Sequence, residues 1–351
     1  MAIIDLRSDT VTKPCDEMRE AMRWADVGDD VYREDPSVNR LETLAAEMLG
    51  KEAGLFVASG TMGNLIAVLT HTKPGDEVLL EADSHIYYYE VGGIAAIAGV
   101  MPRLFSGQEG AVKPEQIADI LRPPNIHFPV SSLLCMENTH NRAGGVVMDA
   151  SSTQEVCIQA KKWGLKTHLD GARIFNAAVA LKVPARMLAE PYDSVMFCLS
   201  KGLGAPVGSV LVGTNDWIGQ ARRWRKMLGG GMRQAGVLAA CGVIALEKMV
   251  GRLQEDHRLA RRLAEGLNKV RGISVNLEKV QTNIVKINVL DQWKNGPTLM
   301  QALKNEGILV NATGETTVRL VTHKDVNEAQ IDHVINTVKG LSLVNLCHSQ
   351  D

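Results

Sequence analysis

The chain has 351 residues, with 38 Lys and Arg against 40 Asp and Glu and a formal net charge of −2. So even a balance leaves no electrostatic footprint for nucleic acid or an anionic membrane surface, and a small-molecule partner is expected instead. The length exceeds one unit of about 100–200 residues, so two domains are expected, over residues 1–250 and 251–351.

The N-terminus, Met1 to Thr10, turns polar too early for a secretory signal, and no apolar stretch approaches the ~20 residues of a membrane span. Asp35 and Pro36 offer an N-cap and a first-turn proline. Val38, Leu41, Leu44, Ala45 and Met48 follow at helical spacing and Gly50 ends the run, which predicts one amphipathic helix. Between about residues 54 and 215, short apolar runs alternate with longer helical patterns: Leu55–Ala58, Glu77–Leu80, Ser132–Met136, Thr167–Leu169, Val195–Leu199 and Val207–Val212. That rhythm predicts an α/β domain with a mainly parallel sheet, helices on both faces and a crevice at the carboxyl ends of the strands. Residues 251–270 read as a long helix rich in Arg and Leu. After it, Ile273–Val275, Asn283–Val289, Ile308–Asn311 and Thr317–Val321 alternate with two further helices, as in a smaller α+β domain. Six cysteines, at 15, 135, 157, 198, 241 and 347, form no Cys-x-x-Cys pair and read as thiols of a reducing compartment, here the cytoplasm.

Lys201 follows the run Val195–Leu199 and is held among small residues in Ser200–Pro206. A lysine at the end of a buried strand is badly placed for solvent and well placed for a Schiff base. Upstream, another strand-like run ends in Asp170, Gly171, Ala172 and Arg173. An amine to carry an aldehyde and an acid to keep a ring nitrogen protonated are what pyridoxal 5'-phosphate requires, so the pair predicts that cofactor.

The segment Ser59–Asn64 joins an apolar run to a helical stretch. Gly60 and Thr61 would offer backbone N–H groups and the positive helix end to the cofactor phosphate, although an ordinary strand-to-helix turn has the same composition. Neither a GxGxxG nor a Walker signature occurs. His85, after a core strand, could stack on a planar cofactor and transfer protons, or simply cap a helix. His127 sits in a loop after Pro123 and Pro124 from which it could reach the cleft, whereas His168, inside a strand run, reads as a satisfied core residue. An amino-acid substrate needs its carboxylate clamped, and the arginine fork does this with two parallel hydrogen bonds. Arg173 and Arg319 are the candidates, and Arg319 also suits an outward-facing strand position. The segment Gly229–Gln234, with Lys226 before it, is a flexible basic loop that could reach a phosphate or form a surface turn.

Several segments, in order, closely resemble the L-threonine aldolases of the low-specificity or L-allo-threonine type: Asp5–Thr12, Gly28–Tyr32, Asp35–Ser37, Ser59–Asn64, Glu137–Asn141, His168–Arg173, Ser200–Gly204 and Gly229–Gln234. The resemblance spans about residues 3–340. It implies the fold of the fold-type I, aspartate aminotransferase-like pyridoxal-phosphate enzymes, with a large cofactor-binding domain and a small C-terminal one. It further implies Lys201 as the lysine that carries the cofactor, Asp170 at the ring nitrogen, Gly60 and Thr61 at the phosphate, and His85 stacked over the ring. Ser8, Arg173 and Arg319 would hold the substrate carboxylate, and His85 and His127 would lie near the β-hydroxyl. Tyr89 falls where the family's pocket varies. A homodimer or homotetramer is implied, with Lys226 and Arg233 entering the neighbouring subunit's site. The activity implied is cleavage of L-threonine or L-allo-threonine to glycine and acetaldehyde. Other fold-type I reactions, β-elimination, transamination or racemisation, share Asp170 and Lys201. A catalytically inert pyridoxal fold and a nicotinamide-dependent dehydrogenase are further alternatives, the last without its dinucleotide fingerprint.

Overall fold

In a computed structural model, which describes residues 3–108, 110, 112–290 and 293–347, the apolar runs become strands of a seven-stranded, a four-stranded and a two-stranded sheet. Before residue 214 lie β1 (Ile4–Asp5), β2 (Ala53–Val57), β3 (Glu77–Glu81), β4 (Met101–Phe105), β5 (Ser131–Glu137), β6 (Lys166–Asp170), β7 (Ser194–Cys198) and β8 (Ser209–Gly213). After it come β9 (Ile273–Val275), β10 (Ile284–Val289), β11 (Ile308–Leu309), β12 (Asn311–Ala312) and β13 (Thr317–Val321).

The large unit is a sheet in the order β2-β8-β7-β6-β5-β3-β4. Only β8 runs against its neighbours, and the other pairings are parallel. Such strands must be apolar on both faces, because helices cover both. Consecutive residues of β7 show how: Val195 and Phe197 pack into the cluster under the helices Pro36–Leu49 and Gly236–Ile244, while Met196 and Cys198 pack into the cluster under Gly60–His71 and Asn215–Met227. The helix Pro36–Leu49 is built as its sequence predicts. The Asp35 carboxylate accepts the Val38 N–H, and Gly50 closes the last turn at φ 64°.

The small unit is an antiparallel sheet in the order β12-β13-β10-β9, backed by the helices Leu253–Leu267 and Glu328–Cys347. The N-terminal residues, counted with the large unit in the sequence, pair here instead: β1 runs parallel to β11, with Ile4 opposite Ile308. Burial of Ile4 and Leu6 in the small unit's core holds the chain end there. Residues 7–12 then cross to the carboxyl edge of the large sheet, where the Thr12 hydroxyl donates to the Lys201 carbonyl at 3.0 Å. Among the described residues no helix is long and apolar enough to cross a membrane.

This topology brings the chemistry to one edge. β6 ends at Asp170 and β5 at Glu137, while His85 follows β3, Ser59 follows β2 and Lys201 follows β7. Parallel strands all point their carboxyl ends to the same side, so residues scattered over more than a hundred positions converge.

Candidate active site

Asp170 ends β6 at the carboxyl edge of the large sheet. It is 2% exposed, and its two carboxylate oxygens accept from the side-chain amide of Asn64 at 2.9 Å and from the Ala172 N–H at 3.0 Å. Among the described residues no cation lies within ion-pair distance of it. A buried carboxylate held only by neutral donors has surplus charge to offer a ligand, because burial of an unpaired ion is costly.

His85 opens the short helix after β3. Its backbone N–H donates to Glu137 at 2.7 Å, and its Nδ1 is bonded to the Glu90 carboxylate at 2.9 Å. The ligating atoms of His85, Glu90 and Asp170 all lie within 4.8 Å of one another. Burial disfavours the charged imidazole, yet the bond to Glu90 and the charge of Asp170 outweigh it, and the pKa of His85 is raised. Burial pushes the Glu90 carboxyl up in turn, with Asp170 adding to the shift. Glu137 accepts the N–H groups of both His85 and Asn141, so one buried carboxylate positions two loops of the site.

Ser8, His85, Tyr89, Arg173, Lys201 and Arg319 line one cavity of about 470 Å³. All six are residues the sequence nominates, drawn from both units and the N-terminal segment. Lys201 and His85 therefore share one space, and Asp170 lies buried beside His85. Tyr89 lies 5.4 Å from the His85 ring, centroid to centroid, and its hydroxyl accepts from Arg142 at 3.3 Å. Arg142 also lies 3.7 Å over the ring of Tyr88, giving the outer wall an aromatic lining.

The two arginines differ. Arg173 is buried and donates both Nε and Nη2 to Asp9, at 2.8 and 2.7 Å. Burial alone would raise the Asp9 carboxyl, but the Arg173 charge and hydrogen bonds hold it far below the usual carboxylate range. Arg319, on β13, donates instead to two neutral acceptors, Asn141 Oδ1 at 3.0 Å and the Arg7 carbonyl at 3.3 Å. Its Nε is buried without a partner, and among the described residues no carboxylate lies within 4.0 Å of it. Burial and the nearby Arg173 charge lower its pKa, the mark of a cation short of an anion.

Gly60 and Thr61 open the helix Gly60–His71, so their N–H groups have no carbonyl a turn behind them, while the Ser59 hydroxyl caps the Met62 N–H at 3.2 Å. A Cβ on Gly60 would lie 3.0 Å from Cys198 Sγ. The helix start is thereby pressed against β7, the strand that leads to Lys201. An amine, a buried carboxylate without a cation, and an open helix N-terminus make a donor set that fits pyridoxal phosphate.

The remaining nominated residues stand apart in this chain. His127 is exposed on the connection that enters β5 at its amino end, and its backbone N–H bonds Asn125 at 3.0 Å. Lys226 lies in the last turn of Asn215–Met227, and Arg233 is exposed and paired with Asp29 at 3.0 Å. Their loop does approach the helix start, for a Cβ on Gly230 would lie 2.5 Å from the Met62 sulfur. His168 has both ring nitrogens bonded, as expected of a core residue. Sequence reasoning assigned no role to Asn64, Glu90, Glu137, Asn141 or Asp9. Their signal was proximity to nominated residues, Asp9 beside Ser8 and Glu90 five positions after His85, and spacing alone does not separate such residues from solvated ones.

The Beta-eliminating lyase family model matches residues 5–289. The chain is 47% identical over 338 residues to a probable low-specificity L-threonine aldolase 2 of Arabidopsis thaliana, covering 95% of each chain. It is 44% identical to the low specificity L-threonine aldolase of Escherichia coli K12, covering 95% of this chain and 97% of that one. In structure it resembles the threonine aldolase of Leishmania major, with a TM-score of 0.83 at 21% identity over 97% and 99% of the two chains. The fold is that of the fold-type I pyridoxal-phosphate enzymes.

Proposed function

This chain belongs to the beta-eliminating lyases and, within them, to the low-specificity L-threonine aldolases, and from that premise we propose that it cleaves L-threonine, L-allo-threonine and related β-hydroxy-α-amino acids to glycine and an aldehyde with pyridoxal phosphate. The observation that carries the reading is a pair of charges without a counter-charge, Asp170 buried beside His85 and Arg319 on the wall of the cavity that His85 and Lys201 also line. Asp170 complements a protonated ring nitrogen, and Arg319 complements an amino-acid carboxylate.

When bound, the cofactor supplies a cationic aromatic ring that takes up the electron pair released at the substrate's Cα. Lys201 would hold it through its amine, Asp170 would keep its ring nitrogen charged, and Gly60 and Thr61 would face its phosphate. Arg319 would take the substrate carboxylate, with Ser8 beside it and the remaining edge of Arg173 behind. This clamp would fix the orientation of the substrate's Cα substituents and so select the bond to the β-carbon for cleavage. His85 would accept the proton of the β-hydroxyl at its free Nε2, because Nδ1 is committed to Glu90 and the Glu90 carboxylate favours the imidazolium so formed. Tyr89 would border the departing aldehyde. Lys226 and Arg233 lie outside the cavity, which supports the reading that they serve a neighbouring copy in a dimer or tetramer.

The test is incubation of purified protein with L-threonine and L-allo-threonine separately, following aldehyde and glycine. Release of both products from either substrate is expected, and the two rates give the diastereomer preference. Pyruvate and ammonia from serine, with no glycine from either threonine, would replace this reading with β-elimination.

A further inference from the structure

Behind Asp170 runs a file of buried polar side chains that the proposed chemistry does not use. Asn64 donates through Nδ2 to Asp170 Oδ2 at 2.9 Å and to Glu90 Oε1 at 2.8 Å. Asn64 Oδ1 lies 3.1 Å from His168 Nε2, His168 Nδ1 lies 2.8 Å from Ser194 Oγ, and Ser194 Oγ lies 2.8 Å from His71 Nε2. His71 in turn stacks on Trp217, with ring centroids 4.7 Å apart. Asn64, His168 and Ser194 are all 0% exposed. An apolar core would fill this space at lower cost, since each buried polar group must recover its desolvation through a partner.

The direction of every bond follows from one end. Carboxylates accept, so the amide nitrogen of Asn64 must face Asp170 and Glu90, and its oxygen must face His168. His168 must then carry its proton on Nε2, which leaves Nδ1 to accept from the Ser194 hydroxyl, which leaves Ser194 to accept from His71 Nε2. All donors point toward Asp170. Burial holds His168 neutral, with its pKa lowered to about 3, and lowers His71 to about 4. An amide does not relay protons, so the file is fixed in direction and conducts nothing.

We propose that His71, Ser194, His168 and Asn64 form a one-way chain of donors that holds the Asp170 carboxylate in place for the cofactor's ring nitrogen, with Asn64 and His168 as its positioning residues. The inference rests on the pyridoxal-phosphate reading. Without His168, the buried Asn64 oxygen has no donor, and the amide is free to shift out of line with Asp170. One of the two hydrogen bonds that hold the Asp170 carboxylate is then weakened, and the carboxylate is held less firmly toward the ring nitrogen.

The test has two arms. In apo-protein labelled with ¹⁵N-histidine, His168 should appear as the neutral Nε2–H tautomer and stay so from about pH 5 to 9. Titration in that range, or a proton on Nδ1, overturns the chain's direction whether or not the cofactor binds. In the cofactor-loaded protein, His168→Phe should weaken cofactor affinity about tenfold and move the pH midpoint of the bound chromophore, lowering kcat while leaving the KM for threonine nearly unchanged. His168→Gln, which retains a donor, should restore most of the affinity, and Ser194→Ala should act in the same direction more weakly. A folded His168→Phe with wild-type affinity and chromophore overturns the proposal. If His168→Phe does not fold, Ser194→Ala decides by the same readouts. A protein that binds no cofactor at all, yet gives the expected ¹⁵N spectrum, refutes the functional reading and not the chain.

Discussion

Arg173 and Arg319 face one cavity and are held in opposite ways. Arg173 has its charge cancelled by Asp9, an acid that also accepts from Asn283 at 3.2 Å, so this corner is closed on itself. Arg319 rests on an amide and a backbone carbonyl, with one buried N–H unused. The first corner therefore belongs to folding: it ties the N-terminal segment to the large unit. The second is a site awaiting charge. A half-buried cation with neutral partners is less favourable in the empty protein than with an anion in place.

The largest effect should come from the residue that both arginines face. Lys201→Ala should reduce cleavage by at least about 10⁴-fold and abolish covalent attachment of the cofactor, read as loss of borohydride-fixed chromophore. Because the Lys201 amine makes no hydrogen bond or ion pair among the described residues, the unfolding midpoint of the apo-protein should move little. Retained cleavage would remove Lys201 from its role.

Asp9→Asn tests the closed corner. It leaves Arg173 buried beside a neutral group and should cost about 3–5 kcal/mol in urea unfolding. The sign with pH is fixed: the carboxyl is held below its ordinary value of 3.8, so its stabilisation is present above that value and lost as pH falls toward the folded one. Wild type and variant should converge in acid. Equal stability at neutral pH would show that the pair carries no folding energy. Arg319→Leu tests the open corner and should do the reverse, lowering kcat/KM by about 10²–10³-fold while leaving stability unchanged or raised. A stability loss equal to that of Asp9→Asn would erase the distinction between the corners.

What the sequence reveals follows the same division. Asp170 and Lys201 are legible because each ends a run of buried apolar residues, and a charge at that boundary stands out. The seven-stranded sheet is legible for the same reason, except β4, where Pro102 and Arg103 and an exposed Met101 at the sheet's edge dilute the apolar signal. The reversed direction of β8 leaves no trace in a side-chain pattern of period two. The pairing of Asp9 with Arg173 spans 164 positions, and nothing local tells that this arginine is already satisfied and Arg319 is not. Nor does the N-terminal strand announce its partner, since two residues carry no periodicity.

The smallest effect concerns the proton rather than either arginine. His85 must be neutral to accept from the β-hydroxyl, so activity falls as pH drops through its pKa. Burial depresses that pKa, and the Glu90 bond together with Asp170 brings it above 6.5. Glu90→Gln keeps an acceptor for both Asn64 and His85 Nδ1 but removes the charge, so burial regains weight and the acid limb of kcat/KM should move to lower pH. Well above the acid limb, where both proteins have lost that proton, the rates should agree within roughly tenfold, the remaining loss reflecting a less stabilised imidazolium. An acid limb that stays fixed, with Arg319→Leu equally unable to move it, would mean that some other group takes the proton, and the exposed His127 would be the first to examine.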